Sequence, residues 1–307
     1  MMTTRNLRIA LIAAAISAFS LQSCSDGASD SNKDTQSLPP DSVADATHEE
    51  EGGLSGSVVK YKGELFSIPS PIQTALLIKK SNLPYNEKLL NPTGNKSKYV
   101  SQFQKALNMG VYGADLAYLS NFDNTATSIE YFTTVEGLAD ELGIKNNIDP
   151  SIISRFHASS DVQDSLYVLN AELYREVNQY LKDNERNEAA SLILAGGWIE
   201  ALHIALDVAS KNDEIRLRIG EQRSALTSLV TLLSRFEDQK VQQVKDGLAG
   251  VLNVFDNMKY SYEYVDPITD ASEHTTYINC KSSVEVSMND IDQIRQKLAE
   301  IRNIIIS

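Results

Sequence analysis

The sequence predicts an all-α protein: a multi-helix antiparallel bundle of helical hairpins, with a small β-hairpin inserted near the C-terminus. Three observations predict this fold class. After residue 58, apolar residues recur at steps of three and four, as on the buried face of a helix. The segments between these stretches have only a few residues, so successive helices pack antiparallel. Alternation replaces the helical spacing near the C-terminus, where Tyr260, Tyr262 and Tyr264 are two residues apart.

Residues 1–23 have the pattern of a signal peptide. Arg5 and Arg8 form a positive segment, and residues 9–19 form an apolar run that is too short to span a bilayer. The tetrad Leu21-Gln22-Ser23-Cys24 follows and resembles the lipobox of bacterial lipoproteins. The resemblance implies cleavage before Cys24, acylation of its thiol with a lipid such as palmitate, and a membrane anchor. The alternative is an ordinary secretory signal with a chance cysteine.

Residues 24–57 have the composition of a disordered acidic tether. They contain no aromatic residue and cannot bury enough apolar area to offset the entropy of ordering. Against the single base Lys33 they carry these acids: Asp26, Asp30, Asp34, Asp41, Asp45, Glu49, Glu50 and Glu51. An acidic segment behind a lipidated cysteine resembles the surface-export signal of Bacteroidota lipoproteins. We therefore expect a lipid-anchored cell-envelope protein at the outer membrane, facing the periplasm or the exterior.

Residues 58–307 are predicted to form a single α-helical domain. Pro71 suits the first position of a helix, and Asn124 or Thr125 suits the cap of another. Gly143 supplies a left-handed helix stop, and Ile144 supplies the contact that accompanies it. The predicted helices cover residues 70–80, 97–121, 124–142, 150–157, 161–183, 188–210, 213–236, 238–259 and 291–305, and the β-hairpin covers about 260–286.

Composition excludes several classes of function. The chain has 28 Lys and Arg against 41 Asp and Glu, a formal charge of −13, which argues against a nucleic-acid partner. There is no phosphate-binding loop, no nucleophile elbow, no dinucleotide fingerprint and no His-Glu-x-x-His. With Cys24 lipidated, Cys280 has no disulfide partner and is interpreted as a small buried residue. We therefore predict a protein that is not an enzyme and uses no cofactor.

The sharpest candidate site is Glu200-Ala201-Leu202-His203. Glu-x-x-His places both side chains on one helical face, as in di-iron bundles, and Asp207 falls within about 60° of them. Apolar residues, Trp198 among them, cover the remaining circumference. The stripe is either a solvent edge or a site inside the bundle. No second Glu-x-x-His exists in the chain, so Glu200 and His203 are weak metal candidates and no metal is predicted.

Asp115 and Tyr118 lie among small residues on an earlier helix. Asp115 is either exposed or faces the interior, where an acid requires a partner. That partner is expected to be Tyr118 or an arginine such as Arg155, Arg175 or Arg216.

Glycines within the helical segments carry a second prediction. Gly110 and Gly113 on one helix, and Gly196-Gly197 on another, cost helix stability. They are interpreted as sites of close helix packing rather than as a notch for a ligand.

Four tyrosines near the C-terminus allow two interpretations. Tyr260, Tyr262, Tyr264 and Tyr277 could form a stacking platform for sugar rings or a cross-strand ladder that covers the core. Aromatic residues on strands more often form such a ladder, which is the interpretation favoured here.

Two segments resemble a group of all-helical Bacteroidota lipoproteins: Val111-Tyr112-Gly113-Ala114-Asp115-Leu116-Ala117-Tyr118 and Leu138-Ala139-Asp140-Glu141-Leu142-Gly143-Ile144. The resemblance covers residues 97–210, including Gly196-Gly197-Trp198-Ile199-Glu200. It implies a helical fold and an envelope location, and it brings no activity with it.

Three functions are consistent with the sequence. The first is a non-enzymatic binding or scaffolding module on a flexible tether, anchored to the membrane by its N-terminal lipid and recognising an envelope protein. The second is a bundle that binds a small ligand or a metal. Its ligand-binding residues would be drawn from Asp115, Tyr118, Trp198, Glu200, His203 and Asp207. The third is a surface glycan-binding accessory protein that uses the tyrosine hairpin.

Overall fold

The structure is a computed structural model, and its described residues all belong to one unit, Glu50–Ser307. These residues are 57–61, 64–68, 71–80, 84–122, 124–158, 163–264, 266–270, 275–277 and 280–307. The predicted signal peptide, Cys24 and residues 24–56 of the tether lie outside them. So do the side chains of Tyr277 and Cys280, so the predicted burial of Cys280 stays a prediction.

Helices dominate the described chain, which confirms the predicted all-α bundle. Their bounds are α1 Pro71–Lys80, α2 Gln102–Leu119, α3 Thr125–Glu141, α4 Pro150–Ala158, α5 Gln163–Asp183, α6 Asn187–Ala209, α7 Asp213–Gly220, α8 Arg223–Leu233, α9 Gln239–Asp256 and α10 Met288–Ile306. Two short 3₁₀ helices, Glu87–Leu89 and Thr93–Lys98, precede α2. The second of them covers the first two residues of the predicted helix 97–121, and the α-helix itself begins later, at Gln102.

The central pair of the bundle is α2 and α6. From Ala190 to Ala209, every residue of α6 except His203 and Asp207 is buried. The two backbones touch at glycines: a Cβ on Gly110 would lie 1.9 Å from the Ile193 carbonyl oxygen, and one on Gly196 would lie 1.9 Å from that of Leu107. Close packing is confirmed for these two glycines. It is wrong for Gly113, whose Cβ would meet nothing within 4 Å.

Local capping fixes several helix ends as the sequence predicts. The Asn124 side chain accepts the Thr127 N–H at the start of α3. Gly143, with a φ of 69°, ends the helix in the left-handed region, and Ile144 packs behind it fully buried. At α10, Ser287 and Asp290 form a capping box that sequence analysis did not identify.

The predicted helix over 213–236 is wrong, because the chain forms two helices there. α7 ends at Gly220 and α8 begins at Arg223. The C-terminal strands pack at this break: a Cβ on Gly220 would lie 2.4 Å from a methyl carbon of Val286. The Tyr260 hydroxyl also donates a hydrogen bond to the Gly220 carbonyl, at 3.0 Å. These contacts with the C-terminal strands at Gly220 thus explain why one continuous helix does not form.

Two β-hairpins flank the helices, and only the second was predicted. β1 (Ser57–Tyr61) pairs antiparallel with β2 (Glu64–Ile68), which buries Phe66 and Ile68. β3 (Lys259–Tyr264) pairs antiparallel with β6 (Cys280–Glu285), and between them in the chain the short strands β4 (Ile268–Asp270) and β5 (Thr275–Tyr277) pair antiparallel with each other. We call the β3–β6 pair the ribbon.

Among the described residues, α6 alone is long and apolar enough to cross a membrane by length and composition. Its apolar stretch is 89% buried inside the protein. That burial is typical of the core helix of a globular domain.

Candidate functional site

The predicted polar stripe of α6 begins at a buried ion pair. Arg302 of α10 donates from Nε to Glu200 Oε2 and from Nη2 to Oε1, both at 2.6 Å. The Glu200 side chain has no exposed surface, and that of Arg302 is 11% exposed. Arg302 Nη2 also donates to the Leu89 carbonyl at 3.0 Å. The arrangement is a two-pronged, charge-assisted pair, which is the strong form of this interaction.

Asp115 of α2 lies beside this pair and is also fully buried. Its Oδ2 accepts the Asn91 N–H at 3.1 Å, and its Oδ1 has no hydrogen-bond partner among the described atoms. Burial, followed by the negative charge of Glu200, raises the pKa of Asp115 well above its usual range, although Arg302 opposes this. A raised pKa favours the protonated form of Asp115 beside the Glu200–Arg302 pair.

The stripe then runs outward along α6. His203, one turn from Glu200, is partly exposed, and Asp207, one turn further, is exposed. Burial lowers the pKa of His203, against the opposing effect of the Glu200 carboxylate. Burial lowers the pKa of Arg302, but the hydrogen bonds that it donates to Glu200 and the negative charge of that carboxylate together raise it overall. Glu200, His203 and Asp115 therefore come together, while Asp207 lies at the solvent edge.

Side-chain hydrogen bonds join the segment before α2 to α2, and α2 to the end of α10. Within the segment, Asn91 Nδ2 donates to the Tyr99 hydroxyl at 3.0 Å. The Tyr112 hydroxyl of α2 donates to the Pro92 carbonyl at 2.9 Å, and Asn108 Nδ2 of α2 donates to the Ile305 carbonyl at 2.8 Å. These bonds hold the segment beside Asp115, which accepts the N–H of the buried Asn91.

The buried cluster is suited to holding elements together rather than to binding a metal. Both Glu200 oxygens accept hydrogen bonds from Arg302, and the positive charge of the guanidinium disfavours a second cation beside them. Within the described residues, no group of three or more His, Cys, Asp and Glu side chains is placed to hold a metal ion.

The arginine that sequence analysis proposed beside Asp115 is wrong. Arg155 pairs with Glu172 and Arg216 with Asp213, whereas Arg302 is the arginine next to Asp115. Arg302 was not among the candidates. The signal that could have identified it is the seven-residue spacing of Arg295 and Arg302 beside the apolar stripe of α10. Arg295 also contacts α6, where it donates a hydrogen bond to the Leu206 carbonyl at 2.9 Å.

Tyr118 and Trp198 lie apart from the cluster. The Tyr118 hydroxyl accepts the Asn86 N–H at 3.0 Å, and its ring stacks with Tyr85 at 6.0 Å between centroids. Trp198 lines a cleft between α1, α6 and α7. The residues that the sequence grouped as one ligand site thus fall into separate places.

The tyrosines of β3 form a row on one face of the ribbon. Tyr262 and Tyr264 are 73% and 74% exposed, and Tyr260, at the base, is 37% exposed. Their cross-strand partners are Ser282, Cys280 and Val284, none of them aromatic. The favoured interpretation, a ladder covering the core, is therefore wrong for Tyr262 and Tyr264.

The opposite face of the ribbon is polar. Lys259 pairs with Glu285 at 2.7 Å, and the Ser261 and Ser283 hydroxyls are hydrogen-bonded at 2.7 Å. The ribbon therefore presents two chemically different faces, one aromatic and one with its polar groups paired.

Comparison with known proteins adds no activity to these places. The chain matches no family model, no curated protein and no solved structure. The likeness to Bacteroidota lipoproteins stays a prediction from the sequence.

Proposed function

We propose that this chain is a lipid-anchored protein of the cell envelope that binds another protein through the tyrosine face of its ribbon. It acts as a binding module on a tether and catalyses no reaction. The lipobox-like tetrad at Cys24 supports the anchor, and the composition of residues 24–57 supports the tether.

The exposed tyrosine row is the observation that carries this proposal. Large aromatic side chains are usually buried, yet Tyr262 and Tyr264 each expose nearly three quarters of their surface. Tyrosine is enriched at protein interfaces because it offers a large rigid contact area together with a hydroxyl. In contrast, the acids Asp115 and Glu200 are fully buried, where a substrate does not reach them.

The structure of the ribbon favours a protein as its binding partner over a glycan. β3 pairs with β6 alone among the described strands, so it lies at the edge of its sheet. An edge strand can add a strand from a partner, with main-chain hydrogen bonds giving affinity and side-chain contacts giving specificity. The only tryptophan of the chain, Trp198, lies in the helical body and not on the ribbon.

Site-specific photo-crosslinking in the intact host tests the proposal. A photoreactive phenylalanine analogue replaces Tyr264 on the aromatic face or, as the matched control, Ser261 on the polar face. We expect a discrete protein adduct from position 264 that is absent from position 261. With the analogue at position 260, the adduct should form in the otherwise native chain and be absent from Y262S/Y264S.

Two results would contradict this function. Equal crosslinking from positions 261 and 264 would show that the tyrosine face is not the recognition surface. Binding to a glycan array that is lost in Y262S/Y264S, without a protein adduct, would replace the protein partner with a carbohydrate.

A further inference from the structure

Two fully buried acids share one arginine in the interior, and the proposed function uses neither acid. Asp115 of α2 and Glu200 of α6 have no exposed surface, and the cation that faces both of them is Arg302 of α10. Two negative charges beside one positive charge would leave a negative charge uncompensated away from water, which is costly. One proton on either acid would remove that cost.

The contact between the two acids also requires a hydrogen. Their carboxyl groups lie within hydrogen-bonding range of each other. Ionised carboxylates have only acceptors, so this contact becomes a hydrogen bond only when one of the two acids carries a proton. Asp115 Oδ1 is buried without a hydrogen-bond partner among the described atoms. A proton on this oxygen would supply the missing bond.

The donors around the two acids indicate which of them holds the proton. Both Glu200 oxygens accept N–H groups of Arg302, each at 2.6 Å. Among the described donors, Asp115 accepts from the Asn91 N–H, at 3.1 Å. Hydrogen bonds to a carboxylate favour its charged form. Glu200 therefore keeps the negative charge, and Asp115 keeps the proton.

The other titratable groups near Asp115 do not compensate a second negative charge. Burial raises the pKa of the tyrosines around it, so they are neutral: Tyr85 and Tyr99 before α2, Tyr112 on α2 and Tyr131 on α3. His203 faces Glu200 and Arg302 from α6, and burial lowers its pKa, so it is uncharged at neutral pH.

The same cluster holds the segment before α2, residues 84–101. Arg302 Nη2 donates to the Leu89 carbonyl at 3.0 Å, and Asp115 accepts the Asn91 N–H two residues further on. The helices that carry the two acids, α2 and α6, touch backbone to backbone. Water therefore reaches the acids more readily by displacing the segment than by separating these helices.

We propose that Asp115 holds a proton on Oδ1, donates it in a hydrogen bond to Glu200, and thereby keeps the segment before α2 closed over the cluster. Opening the segment admits water, and Asp115 then releases the proton as an exposed acid does. The closed state thus binds one proton more than the open or unfolded state. Its stability falls as pH rises from about 4, the ordinary pKa of an aspartic acid, to the raised pKa of the closed cluster. Rising pH therefore favours opening.

Infrared spectroscopy at neutral pH detects the proton directly, because a neutral carboxyl group has a C=O stretching band that a carboxylate lacks. The parent is the chain from Cys24 onward, carrying C24S. We expect this band in the parent and in D207N, which removes an exposed acid of α6, but not in D115N. A parent without the band would overturn the proposal whether or not D115N folds.

Urea unfolding as a function of pH measures the linkage. D115N is the matched variant, because its amide can accept the Asn91 N–H and donate to Glu200 but cannot ionise. The unfolding equilibrium constant of the parent divided by that of D115N should rise about tenfold per pH unit above about pH 5. The same ratio for D207N should stay flat. A ratio for D115N that does not change with pH would show that Asp115 is ionised in the fold.

Hydrogen exchange at neutral pH tests the role of the segment. Amides of residues 86–91 should exchange faster in the parent than in D115N, because opening releases the proton only in the parent. Amides of α9 are the internal control and should exchange alike in both chains. Equal exchange of residues 86–91 in both chains would contradict a coupling between the proton and the segment.

Discussion

The guanidinium of Arg302 contacts two groups inside the protein, the Glu200 carboxylate and the Leu89 carbonyl. Moving both charges out of water is costly, and their attraction roughly offsets that cost. The pair is therefore not a large net source of stability. Losing one partner is different, because it leaves the other charge buried without compensation. At the scale of single residues, the fold therefore needs Arg302, because the buried carboxylate of Glu200 would otherwise have no counter-charge.

We predict that R302M lowers the free energy of unfolding by about 3–5 kcal/mol, because Glu200 would stay buried and unpaired. Urea unfolding followed by circular dichroism measures this. The matched control is R235M, which breaks the Arg235–Glu64 pair, formed at 2.6 Å with side chains 41% and 54% exposed. Exposed pairs are typically worth less than about 1 kcal/mol.

The double variant E200M/R302M sharpens the test. It removes both charges, so it should be more stable than R302M alone. A loss in R302M no larger than in R235M would show that the buried pair does not hold α10 to α6.

Part of this cluster could be predicted from the sequence and part could not. Small neighbours around Asp115 and apolar neighbours around Glu200 are consistent with an inward position for both acids, but the sequence leaves an exposed position equally open. The arginine is 102 residues from Glu200 along the chain. Helical periodicity relates residues within one helix, so it does not reveal which distant helix supplies a partner.

At the scale of elements, the crossing of α2 and α6 depends on two glycines. Ordinary van der Waals contacts of a Cβ lie at 3.4–4 Å, whereas Cβ atoms at Gly110 and Gly196 would each lie 1.9 Å from a backbone carbonyl oxygen of the other helix. Backbone atoms cannot turn aside as a flexible side chain can. Any larger residue must therefore push the two central helices apart.

We predict that G110A and G196A each destabilise the fold by about 1–3 kcal/mol or more, as overpacking does in a close-packed core. The matched controls are G113A on α2 and G250A on α9, where a Cβ meets nothing within 4 Å. These should be neutral or more stable by up to about 1 kcal/mol, because alanine favours the helix. Thermal unfolding separates the two groups. Equal melting temperatures for G110A and G113A would contradict the close approach.

Periodicity predicted where helices exist better than where they end. The apolar stripe keeps helical phase from Ile215 through Leu233, so the sequence alone shows no break near Gly220. That break arises from contacts with the ribbon, which is distant in sequence. The β1–β2 hairpin was missed although its strands are joined by only Lys62 and Gly63, a spacing typical of tight hairpins. This two-residue connection is the signal in the sequence that indicates the β1–β2 hairpin.

At the scale of the whole molecule, the ribbon packs against α7 at Gly220. The ribbon belongs to the helical domain, and the sequence predicts an acidic tether ahead of that domain. A tether of this kind would place the tyrosine face at high effective concentration near the membrane without fixing its orientation. Under the proposed function, the anchor at Cys24 determines where the domain acts.

We predict that C24S abolishes both the lipid modification and the location at the outer membrane. In the host, the native chain should incorporate labelled palmitate and fractionate with the outer membrane, because the acyl chains hold it there. The C24S chain should incorporate no label and leave that fraction. C280S is the matched control, since it removes the other cysteine of the chain and should change neither result. A native chain without label would contradict the lipid anchor and favour the alternative, an ordinary secretory signal, and the tyrosine face would then act in solution.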